Sequence, residues 1–340
     1  MARGAETDVT RSDTTLSLRD GPRAPERPTT VGFLLIPGFA LMSYASAMEP
    51  FRAANALSGR ALYAWRHVGP DGAPVPASNG IFIQPDHRAG DAVALDLLFV
   101  CAGGNPALFD DGPTLAWLRA LAARGTRIGG VSGGPFVLAR AGLLDGYRCT
   151  IHWEHQPALR EAFPHLDVTR NLYEIDRDRL TCSGGIAALD MMHEVIERAH
   201  GSALAAAVSE WFLQTQVRAG DGPQRMALRE RTGIADRKLL KVLEHMEANL
   251  EEPAGRAALA ARAGVSVRQL ERLFRTHLGR TLGAHYLDLR LRRAQTLMRQ
   301  TTLPILEVAI ACGFVSASHF SRSYRRRFGA PPRAERPPRS

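Results

Sequence analysis

Cysteine is scarce in this chain, and its cysteines are far apart. Four of them are spread over 340 residues without a C-x-x-C pair, namely Cys101, Cys149, Cys182 and Cys312. This distribution excludes a disulfide framework and a zinc site of the paired-cysteine type, and it is typical of reduced thiols in a cytoplasmic protein. We therefore expect a cytoplasmic protein with no metal ion and no cofactor.

Long apolar segments are also missing. The longest apolar run, VGFLLIPGFALM, is interrupted by glycine and proline and is too short to cross a bilayer. The amino terminus has no apolar stretch that would predict a signal peptide. Residues 1–29 are polar and aperiodic and are interpreted as a disordered leader. No membrane partner is expected.

Charge is distributed unevenly along the chain. Residues 237–340 contain 20 Lys+Arg and 8 Asp+Glu, a net charge of +12, whereas the remaining residues contain 23 and 26, a net charge of −3. A basic domain joined to a weakly acidic body favours a polyanionic partner such as nucleic acid. Charge alone leaves a solvated basic face equally open.

Strand and helix patterns alternate over residues 30–205. Apolar strands are predicted at TVGFLLI, YAWRHVG, LDLLFVCAGG, RIGGVSGG and RCTIHW, with helices in between. The pattern predicts an α/β domain of the flavodoxin-like class, in which a parallel sheet has helices on both faces and binds ligands at the carboxyl ends of its strands. Beyond it the pattern is helical only, and it predicts a helical connector at 206–235 and an all-α domain at 236–335.

The all-α part contains an internal repeat. GVSVRQLERLFRTHLG at 264–279 aligns with FVSASHFSRSYRRRFG at 314–329, at an offset of 50 residues. Each copy follows a short helix and consists of a glycine turn, a serine N-cap and a second helix, which together predict a helix-turn-helix unit. Since arginine binds guanine edges and glutamine binds adenine edges, the outward positions of the second helices are base-reading candidates. These positions are Arg268, Gln269 and Arg272 in the first unit, and Ser318, His319 and Arg322 in the second.

This half resembles a known DNA-binding family. IACGFVSASHFSRSYRRRFGAPPRAER is similar to the signature of the AraC/XylS-type DNA-binding domain. The resemblance implies that both recognition helices enter successive major-groove segments on one face of double-stranded promoter DNA. It also makes RNA polymerase a candidate partner.

The other half carries an elbow motif. GVSGG at 130–134 fits the G-x-S-x-G pattern of a nucleophile elbow, with Ser132 at its centre. VSGGPFVLARAGLLDG, CTIHWEH and DRLTCSGGIAALDMM resemble the PfpI/ThiJ branch of the class I amidotransferase-like superfamily, and the fusion resembles GlxA-type transcriptional regulators. Enzymes of that superfamily place a cysteine on the elbow, with a histidine and often an acidic group beside it. By this resemblance Ser132 stands at the cysteine position, His152 at the histidine position and Ser43 at the acidic position.

An enzyme is the alternative interpretation. In α/β-hydrolases the nucleophilic serine is followed in the chain by an acid and then by a histidine. After Ser132, this order is met by Asp167, Asp176 or Asp190 and then His193 or His200. A thiol nucleophile at a different position could instead come from Cys101 or Cys182. Such an enzyme would be an amidase, hydratase or deglycase. Since a serine depends on an adjacent base more than a cysteine does, we favour an elbow that holds a ligand without reacting with it.

The segment IHWEH suggests the class of that ligand. The face of Trp153 and the carboxylate of Glu154 suit an ammonium or quaternary ammonium group, provided that a turn lets both converge. The resemblance implies sensors of arginine, glycine betaine, dimethylglycine or carnitine. Packing of Trp153 and a metal bound by His152, Glu154 and His155 are the alternatives. The predicted ligand-binding residues are Ser43, Gly104, Asn105, Ser132, Gly133, His152, Trp153 and Glu154.

Together these patterns predict a DNA-binding transcriptional regulator that is controlled by a small nitrogenous metabolite. We expect it to act as an activator and as a homodimer. Its α/β domain, residues 30–205, is expected to have lost catalysis. Effector binding is expected to change the orientation or order of the connector, because a ligand shifts only an equilibrium between states that it binds differently.

Overall fold

The computed structural model of the protein describes residues 27–301 and 303–336. Most of the predicted leader therefore lies outside the described residues. Its last residues belong to the folded domain: Arg27 forms an ion pair of 2.7 Å with Asp96, and the first strand begins at Thr29. Among the described residues, no helix has the length and apolar content needed to cross a membrane.

The described part of the chain contains eleven strands and thirteen α-helices. The strands are β1 (Thr29–Leu35), β2 (Tyr63–Gly69), β3 (Val75–Pro76), β4 (Phe82–Ile83), β5 (His87–Arg88), β6 (Leu97–Ala102), β7 (Arg127–Ser132), β8 (Arg148–Cys149), β9 (Asp167–Val168), β10 (Tyr173–Asp176) and β11 (Arg179–Cys182). The helices are α1 (Leu41–Ser58), α2 (Gly112–Ala123), α3 (Gly134–Arg140), α4 (Gln156–Ala162), α5 (Ala187–His200), α6 (Ser202–Trp211), α7 (Leu228–Thr232), α8 (Arg237–Ala248), α9 (Arg256–Ala263), α10 (Val267–Leu278), α11 (Leu282–Gln300), α12 (Ile305–Ala311) and α13 (Ala317–Phe328).

A seven-stranded sheet forms the centre of the amino-terminal half. Its strand order is β10-β11-β7-β6-β1-β2-β5, and every pair except β10–β11 is parallel. Apolar residues of α1, α5 and α6 cover one face, and those of α2, α3 and α4 cover the other. The strands read as continuous apolar runs because both faces are buried. The predicted α/β class with helices on both faces is confirmed.

One predicted strand is wrong over most of its length. Of RCTIHW, only Arg148–Cys149 is a strand, and it pairs with Asp167–Val168 outside the main sheet. The neighbour of β7 on this side is β11, at which the sequence pattern predicted no strand. The chain then turns at IHWEH, where the amide of His155 donates to the carbonyl of His152 at 2.8 Å.

The predicted helical connector is also only partly helical. Helix α6 ends at Trp211, α7 begins at Leu228, and the residues between them form no helix. Gly220, Gly222 and Pro223 disfavour a helix there. This segment, 212–227, hereafter the connector strap, runs back across the α/β domain instead.

The connector strap is fixed by a buried carboxylate. Asp190 of α5 is fully buried and accepts four hydrogen bonds: one from Gln214 Nε2 at 2.7 Å, one from the Arg218 amide at 2.9 Å, and two from the Arg218 guanidinium at 3.0 and 2.6 Å. A buried charge is tolerated when it is paired and fully hydrogen-bonded in this way. The pair therefore sets the path by which the chain leaves the sheet.

The predicted duplication of helix-turn-helix units is confirmed. Helices α9 and α10 form the first unit, α12 and α13 the second, and the long helix α11 joins them. Ser266 and Ser316 cap the second helix of each unit by accepting a backbone N–H. The inward residues Leu270, Phe274, Phe320 and Tyr324 are buried in two separate apolar clusters.

A single carboxylate ties the two units together. Asp288 of α11 is largely buried and pairs with Arg280, Arg292 and Arg327, the last of which lies on α13. Because Arg280 follows the first unit and Arg327 belongs to the second, the cluster stabilises one relative placement of the units. Because three arginines share the one Asp288 carboxylate, the cluster carries a net positive charge.

Removing the Arg218 side chain should destabilise the α/β domain. In Arg218→Ala the buried Asp190 loses its charged partner, and we expect the free energy of unfolding to fall by about 3–5 kcal/mol. Urea unfolding followed by tryptophan fluorescence measures this domain alone, because all four tryptophans precede residue 212. Gln216→Ala, an exposed change in the same strap, is the control. Equal stability of the two variants would contradict the anchoring role of Arg218.

Candidate ligand pocket and nucleic-acid interface

Ser132 has the strained backbone of a nucleophile elbow. It is the last residue of β7, and its φ of 60° lies in the left-handed region that non-glycine residues rarely adopt. The following turn enters α3 so tightly that a Cβ at Gly134 would clash with the carbonyl oxygen of Val100. The glycines of the motif are therefore required because neighbouring backbone segments approach each other too closely for a side chain. The backbone has the conformation of a nucleophile elbow.

Ser43 and Ser132 converge above the strand ends. Ser43 Oγ accepts a hydrogen bond from the Gly185 amide at 2.7 Å. A Cβ at Gly184 would lie 2.7 Å from both Ser132 Cβ and Ser43 Oγ. The backbone of Gly184 and Gly185, for which the sequence predicted no role in the site, therefore packs against both serines, which are only 3% and 7% exposed. The signal for them was the SGG sequence directly after β11, which parallels the elbow itself.

His152 is next to the elbow but is poorly suited to act as a base. Its amide donates to the carbonyl of Ser132 at 3.3 Å, and its Nδ1 accepts from the Glu154 amide at 3.4 Å. Burial, followed by the nearby His155, lowers the pKa of His152 below its usual value. Among the described residues no hydrogen bond joins the His152 ring to Ser132 Oγ, so the ring is not placed to take up a serine proton.

The other candidate catalytic groups are engaged elsewhere. Asp190 is bound by Arg218, His193 Nδ1 lies 2.9 Å from Ser209 Oγ, and His200 packs edge-on against Tyr63. Within the described residues, none of the hydrogen bonds reaches Ser132 Oγ. The set Ser132, acid and histidine that the chain order allowed is not assembled.

The buried cysteines are unsuited to nucleophilic chemistry. Burial raises the pKa of the Cys182 thiol to about 12 and raises that of Cys101 further, and both thiols are almost completely inaccessible. A reactive cysteine needs the opposite, an exposed thiol with a lowered pKa. The described residues contain no cluster of three His, Cys, Asp or Glu side chains that could hold a metal ion.

The remaining predicted ligand residues form two groups at the border of the helical domain. Trp153 and Glu154 lie on the exposed turn after the elbow, and the ring of Trp153, 42% exposed, carries the Arg225 guanidinium at 4.6 Å. Asn105, which follows the exposed Gly104, caps a short 3₁₀ helix and donates to the carbonyl of Arg299 in α11. Gly133 donates its amide to Ala102. The turn that the predicted cation site requires is therefore present, but the guanidinium group of Arg225 already stacks on the Trp153 ring.

The recognition helices present the predicted side chains to solvent. The predicted base-reading residues are all exposed, namely Arg268, Gln269, Arg272, Ser318, His319 and Arg322. Gln269 also completes the capping box of α10, because its Oε1 accepts from the Ser266 amide at 2.9 Å. Its amide nitrogen stays available to a base. These positions remain predictions for base contact, and the structure places them on one exposed face of each unit.

The buried His155 should make the protein less stable in acid. Its Nδ1 is buried without a hydrogen-bond partner, and burial lowers the pKa of the ring below its usual value. Below pH ~6.5 His155 becomes protonated in the unfolded chain but stays neutral in the folded state, where its pKa is lower. The free energy of unfolding therefore falls as the pH decreases, by up to ~1.4 kcal/mol per pH unit for one group. Urea unfolding at pH 7.5, 6.5 and 5.5 should show a smaller decrease for His155→Gln. Parallel curves for both proteins would contradict this assignment.

Comparison with known proteins agrees with the two halves of the fold. A model of the DJ-1/PfpI family matches residues 30–198, and a model described as a helix-turn-helix domain matches residues 259–337. The chain is 47% identical to the HTH-type transcriptional regulator GbdR of Pseudomonas aeruginosa, covering 93% of this chain and 86% of that protein. It is 46% identical to the HTH-type transcriptional regulator GlxA of Rhizobium meliloti, covering 89% and 94%. A crystal structure of an AraC family transcriptional regulator from Pseudomonas putida is 32% identical, with a TM-score of 0.51 over 54% of this chain and 100% of that one.

Proposed function

The chain belongs to the transcriptional regulators that join a DJ-1/PfpI domain to an AraC-type helix-turn-helix domain, and from this we propose a regulator whose α/β domain senses a small nitrogenous metabolite without catalysis. We assign effector binding to residues 30–205 and DNA binding to residues 236–335. Activation of transcription and assembly into a homodimer stay predictions from the resemblance.

The absence of an assembled catalytic set around Ser132 among the described residues supports a sensor over an enzyme. Ser132 has the strained conformation, but among the described residues no hydrogen bond joins its Oγ to His152, and Cys101 and Cys182 are buried with raised pKa values. Nucleophilic catalysis needs an activated attacking atom, which a serine obtains from an adjacent base. We infer that the elbow region around Ser132 and the turn that follows it bind a ligand and leave it unchanged.

Trp153 and Glu154 support a cationic ligand. An indole face attracts guanidinium and quaternary ammonium groups, and a neighbouring carboxylate adds charge pairing. Among the described residues Glu154 forms no ion pair, so its charge is available. A small molecule that carries such a cation together with a carboxylate would fit a site with these donors and acceptors.

Arg272 should determine sequence preference on DNA. A DNA fragment selected from a random pool with the full chain provides the specific site. For Arg272→Ala we expect a loss of about 1–3 kcal/mol on this fragment and little change on unrelated DNA, because an arginine–guanine contact is lost. Fluorescence anisotropy with both fragments measures the difference. A loss of equal size on both would show that Arg272 binds phosphate.

Arg325 provides the contrasting variant. It lies in the last turn of α13 and is exposed, so it is expected to contact the DNA backbone or solvent. Arg325→Ala should weaken binding to all fragments alike, and the slope of log affinity against log salt should become shallower by about one. If Arg325→Ala instead altered sequence preference, the base-reading surface would extend along α13.

A thermal-shift screen tests the sensor assignment directly. Amino acids, betaines, carnitine and polyamines are added to the full chain, and a compound that binds only the folded state raises the melting temperature with concentration. We expect a rise with a guanidinium or quaternary ammonium compound that Trp153→Ala or Glu154→Ala abolishes. Chromatography of the recovered compound should show it unaltered. Turnover of the compound by the wild-type protein, lost in Ser132→Ala, would establish the enzyme alternative.

A further inference from the structure

Arg225 of the connector strap occupies the aromatic face that an amine effector would use. Its guanidinium carbon lies 4.6 Å from the centroid of the Trp153 ring, within the range of a cation–π interaction. We propose that a cationic effector and Arg225 compete for Trp153, and that this exchange transmits effector binding to the helix-turn-helix domain. This inference rests on the proposed function and specifies how the same site is regulated.

Arg225 connects Trp153 to the helical domain. Its Nη1 lies 3.7 Å from Glu247 Oε2 in α8, and Arg231 Nη2 lies 2.9 Å from the same oxygen. Helix α8 packs against α9 of the first helix-turn-helix unit through the buried Val242, Leu243 and Met246. A change in the position of Arg225 therefore changes a contact of the DNA-binding domain.

The backbone next to Arg225 is anchored, so the exchange needs only a side-chain movement. Gln224 Nε2 donates to the carbonyls of Asn171 and Ile151 at 2.7 and 3.0 Å, and to Thr150 Oγ1 at 3.1 Å. These bonds hold the strap at the base of the turn that carries Trp153. The arginine side chain is 40% exposed, and a solute reaches this pair from solvent without unfolding either domain.

The charges favour exchange with a free cation. Arg225 pairs with Glu247 and not with Glu154, the carboxylate that follows Trp153 in the chain. Burial and the neighbouring charge of Arg231 lower the pKa of Arg225, so its charged form is less stable here than in water. A guanidinium or trimethylammonium compound can stack on Trp153 and also approach Glu154, which gives it an interaction that Arg225 lacks.

The turn that carries Trp153 makes a second contact with the helical domain. This turn leads directly into α4, whose Glu161 Oε1 lies 3.5 Å from Arg293 Nη2 of α11. Loss of the Arg225 contact thus leaves α11 docked and removes one of the two arginine contacts of Glu247 on α8. The exchange is therefore expected to alter the first helix-turn-helix unit more than the second.

Arg225→Ala tests the exchange, with glycine betaine and L-arginine as probes. Removal of the internal competitor should tighten binding of the active probe roughly 2- to 30-fold in isothermal titration calorimetry. By linkage, the DNA affinity of the probe-free variant should equal that of the wild-type chain saturated with probe, and the probe should no longer change it. Arg229→Ala, an exposed arginine on α7 without an ion pair in the described region, should behave like the wild type. Arg225→Lys keeps the charge without the planar group and should lie between them.

Different results separate the two hypotheses. If the probe shifts the DNA affinity of wild type and Arg225→Ala by the same factor, or binds both equally well, the exchange is wrong and the sensor assignment stands. If no amine binds the wild-type chain, both are wrong. Should Arg225→Ala fold poorly, Arg225→Lys with the same two measurements decides, because the altered affinity is expected there as well.

Discussion

The buried Asp190 carboxylate is the interaction on which the arrangement of the protein depends. It accepts four hydrogen bonds from Gln214 and Arg218, and these turn the chain back over the sheet after α6. Together with the hydrogen bonds of Gln224, they hold the segment after Trp211 against the α/β domain. Because the strap is held, Gln224 and Arg225 arrive beside the turn after the elbow, and the helical domain begins next to the pocket.

Coupling between the two functions follows from this short distance. The turn 150–156 carries Trp153, which we propose as a ligand contact, and leads into α4, whose Glu161 pairs with Arg293 of α11. Asn105, after the end of β6, donates to the carbonyl of Arg299. Both predicted ligand segments are therefore also docking segments for the helical domain. A ligand that prefers one arrangement of these segments changes the placement of α8 or α11, which is what a linkage between binding sites requires.

The parts of the fold that local patterns specify were predictable. Apolar runs and helical periods located the main strands, and the repeat located both helix-turn-helix units with their serine caps at Ser266 and Ser316. Long-range pairing was not predictable, because nothing local in the sequence indicates that β11 pairs with β7 or that Arg148–Cys149 pairs with Asp167–Val168 outside the main sheet. The path of the connector strap was missed for the same reason. The ion pair that holds it joins Asp190 and Arg218, which are 28 positions apart, and no local sequence pattern predicts that they pair.

The elbow at Ser132 has the strained backbone of a nucleophile elbow, although no catalytic set is assembled around it among the described residues. The left-handed backbone at Ser132 costs free energy, of order 1–3 kcal/mol for such a conformation, and persists because packing determines it. Gly134 lies against Val100, and Gly184 lies against Ser132, so each strand end is fixed by its neighbour. Replacing an attacking cysteine by serine leaves these contacts unchanged. Under the proposed function the same rigid strand ends would orient a ligand, and its binding energy would act on the exposed turn and on the connector strap, which Arg225 links to α8.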